Sequence, residues 1–205
     1  MNKARFQTWE TALLLALAAV LLWGAWTAHR QDDLAQKMIR LHVIANSDSQ
    51  EDQALKLQVR DKVLLQATTI LEESDNMTQA MRILNGSLPE IEHIATQEIR
   101  AQGYDYGVTA SLENTEFPTK EYDGFRLPSG EYLALRVVIG DGAGKNWWCV
   151  VFPPLCTTAA TDLEDTAIAA GWENEDVSLV TEQDGYVLKF RAVELWENFR
   201  QWLGK

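Results

Sequence analysis

Histidine and cysteine, the residues that most often hold metals or act as nucleophiles, are scarce in this 205-residue chain. There are three histidines and two cysteines, and Cys149 and Cys156 have no histidine near them in the sequence. Two ligands fall short of a zinc site, which needs three or four. A thiol nucleophile would need His29, His42 or His93 to approach, and none lies in a recognisable catalytic signature. The sequence therefore predicts no metal, no cofactor and no catalytic cysteine.

Basic residues are also few, with 18 Lys and Arg against 30 Asp and Glu. The first 30 residues hold Lys3, Arg5, Glu10 and Arg30, which leaves 15 basic and 29 acidic residues and a net charge of −14 for the rest. Such a domain repels phosphate backbones, which excludes nucleic acid as a partner. It also repels anionic lipid headgroups, so membrane attachment must come from an apolar segment.

One long uncharged run is present near the N-terminus, TALLLALAAVLLWGAW at 11–26. Lys3 and Arg5 precede it and Asp32 and Asp33 follow it, which orients the N-terminus toward the cytoplasm. A cleavage site is poorly formed because the bulky Trp26 occupies its −3 position, and length alone does not separate a signal peptide from an anchor. We expect residues 1–30 to be a signal peptide or membrane anchor and residues 31–205 to be an exported domain.

The pattern of the exported part predicts one α+β domain with early helices and a mostly antiparallel sheet. A strand over 38–45 precedes helices over 50–71, 77–84 and 89–101. Strands follow over 106–119, 131–140 and 146–152, the last two joined as a hairpin by the glycine-bearing loop 141–145. A strand pair over 177–181 and 186–191 and a helix over 192–203 complete the predicted order. On the first long helix, Leu55, Val59, Val63, Ala67 and Ile70 form one apolar stripe.

A polar stretch separates the first strand from the first long helix of the domain. It contains Asn46, Ser47, Asp48, Ser49, Glu51 and Asp52. These residues fit a helix N-cap, with capping-box spacing either from Asp48 to Glu51 or from Ser49 to Asp52. They also fit a hydrolase carboxylate cluster or a calcium loop, although EF-hand spacing and a loop glycine are absent. We favour the cap, and we expect Asp52 to pair with Lys56 one turn later.

The stretch KNWWCVVFPPLC, at 145–156, is dense in tryptophan and cysteine. Its side chains alternate between two apolar faces, which predicts a central strand covered on both sides or one whose second face meets a partner. Outside the cytoplasm a Cys149–Cys156 disulfide is the natural interpretation. In a straight strand the two Cα atoms would lie roughly 20 Å apart, so Pro153-Pro154 would have to turn the chain back. Buried free thiols remain the alternative.

Three segments of the chain resemble a known family: RLHVIANSDSQEDQALKLQVRDKVL (40–65), LPSGEYLALRVVIGDGAGKNWWCVVFPPLC (127–156) and YVLKFRAVELWENF (186–199). The family that they resemble is the stage II sporulation protein R family of endospore-forming Firmicutes. The resemblance implies a signalling protein made in the forespore and exported into the space between two membranes. There it would trigger a membrane-embedded aspartic protease of the mother cell, which processes the precursor of the mother-cell sigma factor. The family is not known for catalysis of its own.

Two functions therefore stay open for this chain. The first is a non-enzymatic signal that activates a protease, with Asn46, Ser47, Asp48, Trp147 and Trp148 as candidate contacts to that partner. The second is a membrane-anchored extracytoplasmic hydrolase, acting on cell wall through Asp48, Glu51 or Asp52 as acid and base. The hydrolase needs two carboxylates about 5–10 Å apart in a cleft that raises one pKa.

Overall fold

The structure is a computed structural model that describes residues 3–72, 74–122, 124–156 and 163–181. In chain order the described elements are α1 (Lys3–Ala35), β1 (Ile39–Ile44), α2 (Gln50–Leu71), α3 (Met77–Gly86), α4 (Leu88–Ala101), β2 (Val108–Phe117), β3 (Lys120–Tyr122), β4 (Phe125–Leu127), β5 (Gly130–Ile139), β6 (Asn146–Phe152), α5 (Leu163–Ala169) and α6 (Asn174–Thr181). The chain divides into two compact units, residues 1–33 with 182–205 and Leu34–Thr181. The expected boundary between a signal peptide or anchor (1–30) and an exported domain (31–205) stays a prediction.

Helix α1 carries the apolar run of the N-terminus. Large side chains from Trp9 to Trp26 are exposed along it, among them Leu15 and Leu22. Its part Thr8–Ala35 is long and apolar enough to cross a membrane, judged by length and composition alone. A secretory signal at an N-terminus has the same two properties, so the helix fits a signal or an anchor.

The second unit is built on a four-stranded sheet with the order β2-β5-β1-β6. Strand β1 pairs parallel with β5 and antiparallel with β6, and β2 pairs antiparallel with β5. The predicted α+β class with a mostly antiparallel sheet is therefore confirmed. Strands β3 and β4 form a separate two-stranded hairpin, which the sequence analysis did not predict.

Each face of the sheet is covered by its own apolar cluster. On one face α2, α3 and α4 pack against Ile39, Leu41 and Val43 of β1. Along α2 the predicted stripe is confirmed at Leu55, Val59, Val63 and Ala67, while Leu71 rather than the half-buried Ile70 ends it. Burial of one such side chain stabilises the fold by about 1.5–3 kcal/mol. The opposite face packs against Leu34, Met38, Phe117, Phe125, Leu127, Leu155, Leu163, Trp172, Val177 and Val180.

The predicted hairpin between β5 and β6 is wrong. Strand β1 lies between these two strands, so the loop 141–145 crosses the end of β1 instead of turning between neighbours. Ala143 N donates to Asn46 O and Gly144 N donates to Ala45 O, at 3.1 and 2.9 Å. The apolar β1 gains hydrogen-bonded neighbours on both sides in this arrangement, which a β5–β6 hairpin would deny it.

The position of β6 is also corrected. It was predicted as a central strand, yet in the described sheet it lies at an edge, next to β1 alone. Both of its faces are nevertheless covered, since Cys149 and Val151 belong to one cluster and Val150 to the other. Phe152 joins Val151 in the same cluster, because the pairing of β1 with β6 shifts register at Ile39 and Arg40.

The predicted strand over 177–181 is wrong, because this segment belongs to helix α6. Asp176 accepts from Glu173 N at 2.9 Å and pairs with Lys37 Nζ at 2.6 Å, which anchors the first turn. Val177 and Val180 are both buried, as the three-residue step of a helix requires. The predicted strand over 186–191 and helix over 192–203 lie outside the described residues.

Candidate functional site

The junction between β1 and α2 is held by a hydrogen-bond network centred on Asp52. Ser49 is the N-cap residue, and its Oγ accepts from Asp52 N at 3.1 Å. Asp52 Oδ2 accepts from Asn46 Nδ2 at 2.9 Å and from Ser47 Oγ at 2.6 Å. Of the two capping registers predicted from the sequence, the structure therefore adopts the one from Ser49 to Asp52.

These donors lower the pKa of Asp52. The Ser47 hydroxyl contributes most, followed by the Asn46 amide, while burial acts in the opposite direction. Desolvation is the main cause that raises the pKa of Tyr106, and its interaction with Asp52 acts in the same direction. A carboxylate held ionised by several donors is suited to fixing a junction and poorly suited to act as a general acid.

The same junction is tied to the loop 141–145. Asn46 Oδ1 accepts from Asp141 N at 3.0 Å, and Asp48 Oδ1 accepts from Lys145 N at 2.8 Å. The approach is close enough that a Cβ at Gly144 would overlap the Ser47 carbonyl oxygen. Glycine is therefore required there, and the loop brings Lys145 and the start of β6 onto the N-terminus of α2.

The structure gives the three candidate acid–base residues different surroundings. Asp52 is 5% exposed inside the network, whereas Asp48 and Glu51 are exposed. Across the described ranges, no three side chains of His, Cys, Asp and Glu group closely enough to hold a metal ion. The arrangement is that of a helix cap, and the functional assignment of Asn46, Ser47 and Asp48 as partner contacts stays a prediction.

The predicted pair between Asp52 and Lys56 does not form. Lys56 Nζ instead donates to Lys145 O at 2.9 Å and to Gln53 Oε1 at 2.6 Å, so the ammonium crosses from α2 to the start of β6. It is 4% exposed, and desolvation lowers its pKa. One turn later, the Arg60 guanidinium lies over the ring of Trp147, with Cζ 4.2 Å from the centroid.

Beyond Arg60, a groove of about 350 Å³ opens between α2, β6 and the β3–β4 hairpin. We call it the tryptophan groove; its lining residues are Arg60, Asp61, Leu64, Tyr122, Phe125, Trp147, Trp148, Cys149, Leu155 and Cys156. Trp147 is 37% exposed and Trp148 is half-buried. The groove thus brings the two predicted tryptophans together with the two cysteines.

The cysteines form a disulfide in the structure, with Cα atoms 6.2 Å apart. The turn at Pro153-Pro154 provides the reversal that the bond needs. Cys156 Sγ accepts from Val150 N at 3.1 Å, and Tyr122 Oη donates to Trp148 O at 3.3 Å, both on β6. These two contacts occupy backbone groups of a strand edge that would otherwise be open to another chain. Formation of this disulfide in the exported protein stays a prediction.

Behind the groove, β1 presents two polar side chains to the second apolar cluster. Arg40 is fully buried, and His42 is 5% exposed and stacks on Trp148 with ring centroids 3.9 Å apart. Desolvation lowers the pKa of both side chains. The sequence did not predict a role for Arg40 or Arg60, and it raised His42 only as a possible partner for a thiol. The available signal was a charged and an ionisable residue at alternate positions of the apolar strand IRLHVI.

The fold and site together define a class of protein. It has an apolar N-terminal helix long enough to cross a membrane, followed by an α+β domain whose polar cluster caps a helix. The family model described as Stage II sporulation protein R (spore_II_R) matches residues 35–162. The chain is also 36% identical over 158 residues to "Stage II sporulation protein R" of Bacillus subtilis (strain 168), covering 72% of this chain and 70% of that relative.

The chain therefore belongs to the stage II sporulation protein R family, and the resemblance noted in its sequence is confirmed. Membership supports a role in sporulation, and the family is not a known family of enzymes. No solved structure matches the chain.

Proposed function

We propose that this chain is an exported signalling protein of sporulation, made in the forespore and acting in the space between the two membranes. Its target is a membrane-embedded aspartic protease of the mother cell, which then processes the precursor of the mother-cell sigma factor. Membership of the stage II sporulation protein R family carries this proposal. Three features of the structure support it: the N-terminal helix, the polar junction between β1 and α2, and the tryptophan groove.

Helix α1 supports the export step. Its segment Thr8–Ala35 has the length and composition of a membrane span, and Lys3 and Arg5 lie before the apolar run. Positive charge before such a run keeps the N-terminus in the cytoplasm, so the domain that follows crosses to the other side. Retention of the helix would hold the protein at the membrane surface, where a membrane-embedded partner also lies.

The polar junction supports a role without catalysis. The alternative from the sequence, a membrane-anchored cell-wall hydrolase, requires one carboxyl whose pKa is raised so that it can donate a proton. The buried candidate, Asp52, has its pKa lowered instead. Asp48 accepts from the Lys145 amide and thereby fixes a loop. No observation on the described residues favours the hydrolase.

The tryptophan groove is the surface that best suits contact with the protease. The side chains of Asn46 and Ser47 both donate to Asp52, and Asn46 also accepts from Asp141 N of the loop 141–145. In contrast, more than a third of the Trp147 surface is exposed. The few residues that dominate the binding energy of protein interfaces are enriched in Trp, Tyr and Arg. We therefore propose Trp147, rather than the capped junction, as the principal contact.

Capture of the protease from solubilised membranes by the full-length chain tests this proposal. Trp147→Ala should reduce capture by about tenfold or more, as truncation of an interface anchor does. The matched control is Met81→Ala on α3, because Met81 is exposed to a similar extent, 42% against 37%. Equal capture by the Trp147 variant and the wild type would remove Trp147 from the contact. Failure of the wild-type chain to capture the protease would contradict the proposed function itself.

A further inference from the structure

Arg40 is a buried cation without an acidic partner among the described residues. Its side chain is fully buried, and the guanidinium Cζ lies 4.0 Å from the centroid of Phe117 and 4.8 Å from that of Tyr132. Nη2 donates to Tyr122 Oη at 2.7 Å. By distance and angle, Nε and Nη1 have no hydrogen-bond partner in the described part of the chain, and the Tyr132 hydroxyl favours the charged guanidinium through a weaker interaction. Buried charges in proteins are normally paired, so two vacant donors on one arginine require a reason.

His42 is a second buried polar side chain, two residues along β1. Its Nε2 shares a hydrogen bond of 3.0 Å with Asn146 Oδ1, while Nδ1 is buried without a partner in the part of the chain that is described. Its ring stacks on Trp148, and Trp148 lines the tryptophan groove. Because Nε2 donates to Asn146, Nδ1 is an acceptor, and the donors without a partner on this face of β1 belong to Arg40.

Tyr122 separates Arg40 from the tryptophan groove. Its ring lines the groove, and its hydroxyl accepts from Arg40 Nη2 while it donates to Trp148 O. The residue lies at the end of β3, a three-residue strand whose described pairing is with β4 alone. Its ring also stacks on Phe125, with centroids 4.7 Å apart. Displacement of the Tyr122 side chain would join the groove to the guanidinium.

We propose that the tryptophan groove and Arg40 together form a carboxylate-binding site, with Tyr122 as its gate. The occupant is a segment of a partner protein that presents an aromatic or aliphatic side chain beside a carboxylate. The apolar group lies against Trp147 and Phe125, and the carboxylate replaces the Tyr122 hydroxyl on Arg40. A guanidinium offers parallel N–H groups that match a carboxylate in a bidentate fork.

The acidic charge of the exported part does not oppose this occupant at short range. Repulsion from distant carboxylates is screened over about 8 Å at physiological ionic strength. Contact with Arg40 would take place in a desolvated aromatic pocket, where screening is weak. Among the described residues that line the groove, Asp61 is the acidic one, and it already pairs with Arg60 at 2.6 Å.

The inference deepens the proposed function, because it names the chemistry of the segment that the same groove takes, and it rests on that function for the identity of the partner. A small-molecule pair tests it on the full 205-residue chain in non-ionic detergent micelles: 3-phenylpropionate and its uncharged amide. Calorimetric titration should show the acid binding at least about tenfold more tightly than the amide. Failure of the acid to bind, or equal binding of the two probes, would overturn the proposal.

Variants assign the binding to Arg40. Arg40→Met should abolish the preference for the acid, while thermal stability is kept or raised, because an unpaired buried charge is removed. Arg40→Lys keeps the charge without the planar fork and should weaken acid binding, which provides a second test if the Met variant fails to fold. Tyr122→Phe should tighten acid binding by freeing Arg40 from the gate hydroxyl.

Arg60→Met is the matched control, since Arg60 is an arginine that lines the groove itself and pairs with Asp61. It should leave the preference for the acid unchanged. Loss of the preference in the Arg60 variant but not in the Arg40 variants would assign the site to the groove rim and overturn the proposal. Success or failure of these titrations is independent of whether the chain captures the protease.

Discussion

At the scale of single residues, Asp52 illustrates how a polar cluster can serve structure. Its carboxylate accepts hydrogen bonds from the side chains of Asn46 and Ser47, while its backbone N–H donates to the Ser49 hydroxyl. Each donor comes from the segment that links β1 to α2, so one carboxylate fixes the direction in which the helix leaves the sheet. The residue types are those of an active site, but the geometry is that of a cap.

Replacement of Asp52 separates these two roles. Asp52→Ala leaves the Asn46 and Ser47 donors without their acceptor, and should lower the free energy of unfolding by about 1–3 kcal/mol. Signalling should fall only as far as the folded fraction does. Denaturant titration and precursor processing are measured on the same variant, with the exposed Glu51→Ala as the control. Complete loss of processing at unchanged stability would instead indicate an active site or a direct contact.

His42 predicts a pH dependence of stability. Burial is the main cause that lowers its pKa from the ordinary 6.5, with nearby Arg136 acting in the same direction and Asn146 and Glu113 opposing it. The unfolded chain therefore binds a proton that the folded chain excludes, and stability should decrease as the pH falls from about 7 toward about 5. The slope for one such group is at most about 1.4 kcal/mol per pH unit.

Thermal unfolding of His42→Gln across the same pH range measures this contribution. The variant should lose part of the slope, whereas His93→Gln, which changes an exposed histidine of α4, should keep it. The Asp52 carboxylate acts in a lower window, because its depressed pKa makes stability fall only as the pH drops below its ordinary 3.8. An identical slope in wild type and His42→Gln would show that His42 does not carry the effect.

Residues whose role is local were predictable from the sequence. Ser49 and Asp52 were identified as a cap because the spacing of a capping box is set within one turn of helix. Arg40 was not identified, because its environment depends on Phe117, Tyr122 and Tyr132, which lie far away in the chain. Only the fold brings these side chains together.

At the scale of elements, helices and strands with a strong period were predicted well, and pairing was not. The limits of α2 and β6 agree with those expected from the sequence, because apolar spacing is a local property. The prediction of a hairpin between β5 and β6 was wrong because a short glycine-bearing loop can also connect two strands that have a third strand between them. Helix α6 was mistaken for a strand because Val177 and Val180 are β-branched, although acidic residues at its first turn favour a helix.

The element made of β6 and its Pro-Pro turn gives a prediction about redox state. Alkylation of the exported protein without reduction should leave Cys149 and Cys156 unlabelled, because the disulfide joins them. Cys149→Ser should lower the free energy of unfolding by about 2–5 kcal/mol, as loss of a native bridge typically does. Mass spectrometry and denaturant titration measure the two quantities. Free labelling of both thiols in the native exported protein would contradict the disulfide.

At the scale of the whole molecule, topology decides whether the domain can reach its partner. A reporter fused after Lys205 should be active only outside the cytoplasm, because Lys3 and Arg5 hold the N-terminus inside. The matched control is a fusion that lacks residues 1–28, which should place the same reporter in the cytoplasm and abolish signalling without unfolding the domain. Cytoplasmic activity of the full-length fusion would refute export.

Processing of the sigma-factor precursor tests the central claim most directly. The precursor and the membrane-embedded protease are produced in cells with the full-length chain, without it, or with the chain lacking residues 1–28, and the ratio of processed to unprocessed sigma factor is measured by immunoblot. If the chain is an exported signal, the sigma factor should be processed only with the full-length chain. Equal processing in its absence, or with the cytoplasmic form, would contradict an exported signal that activates the protease.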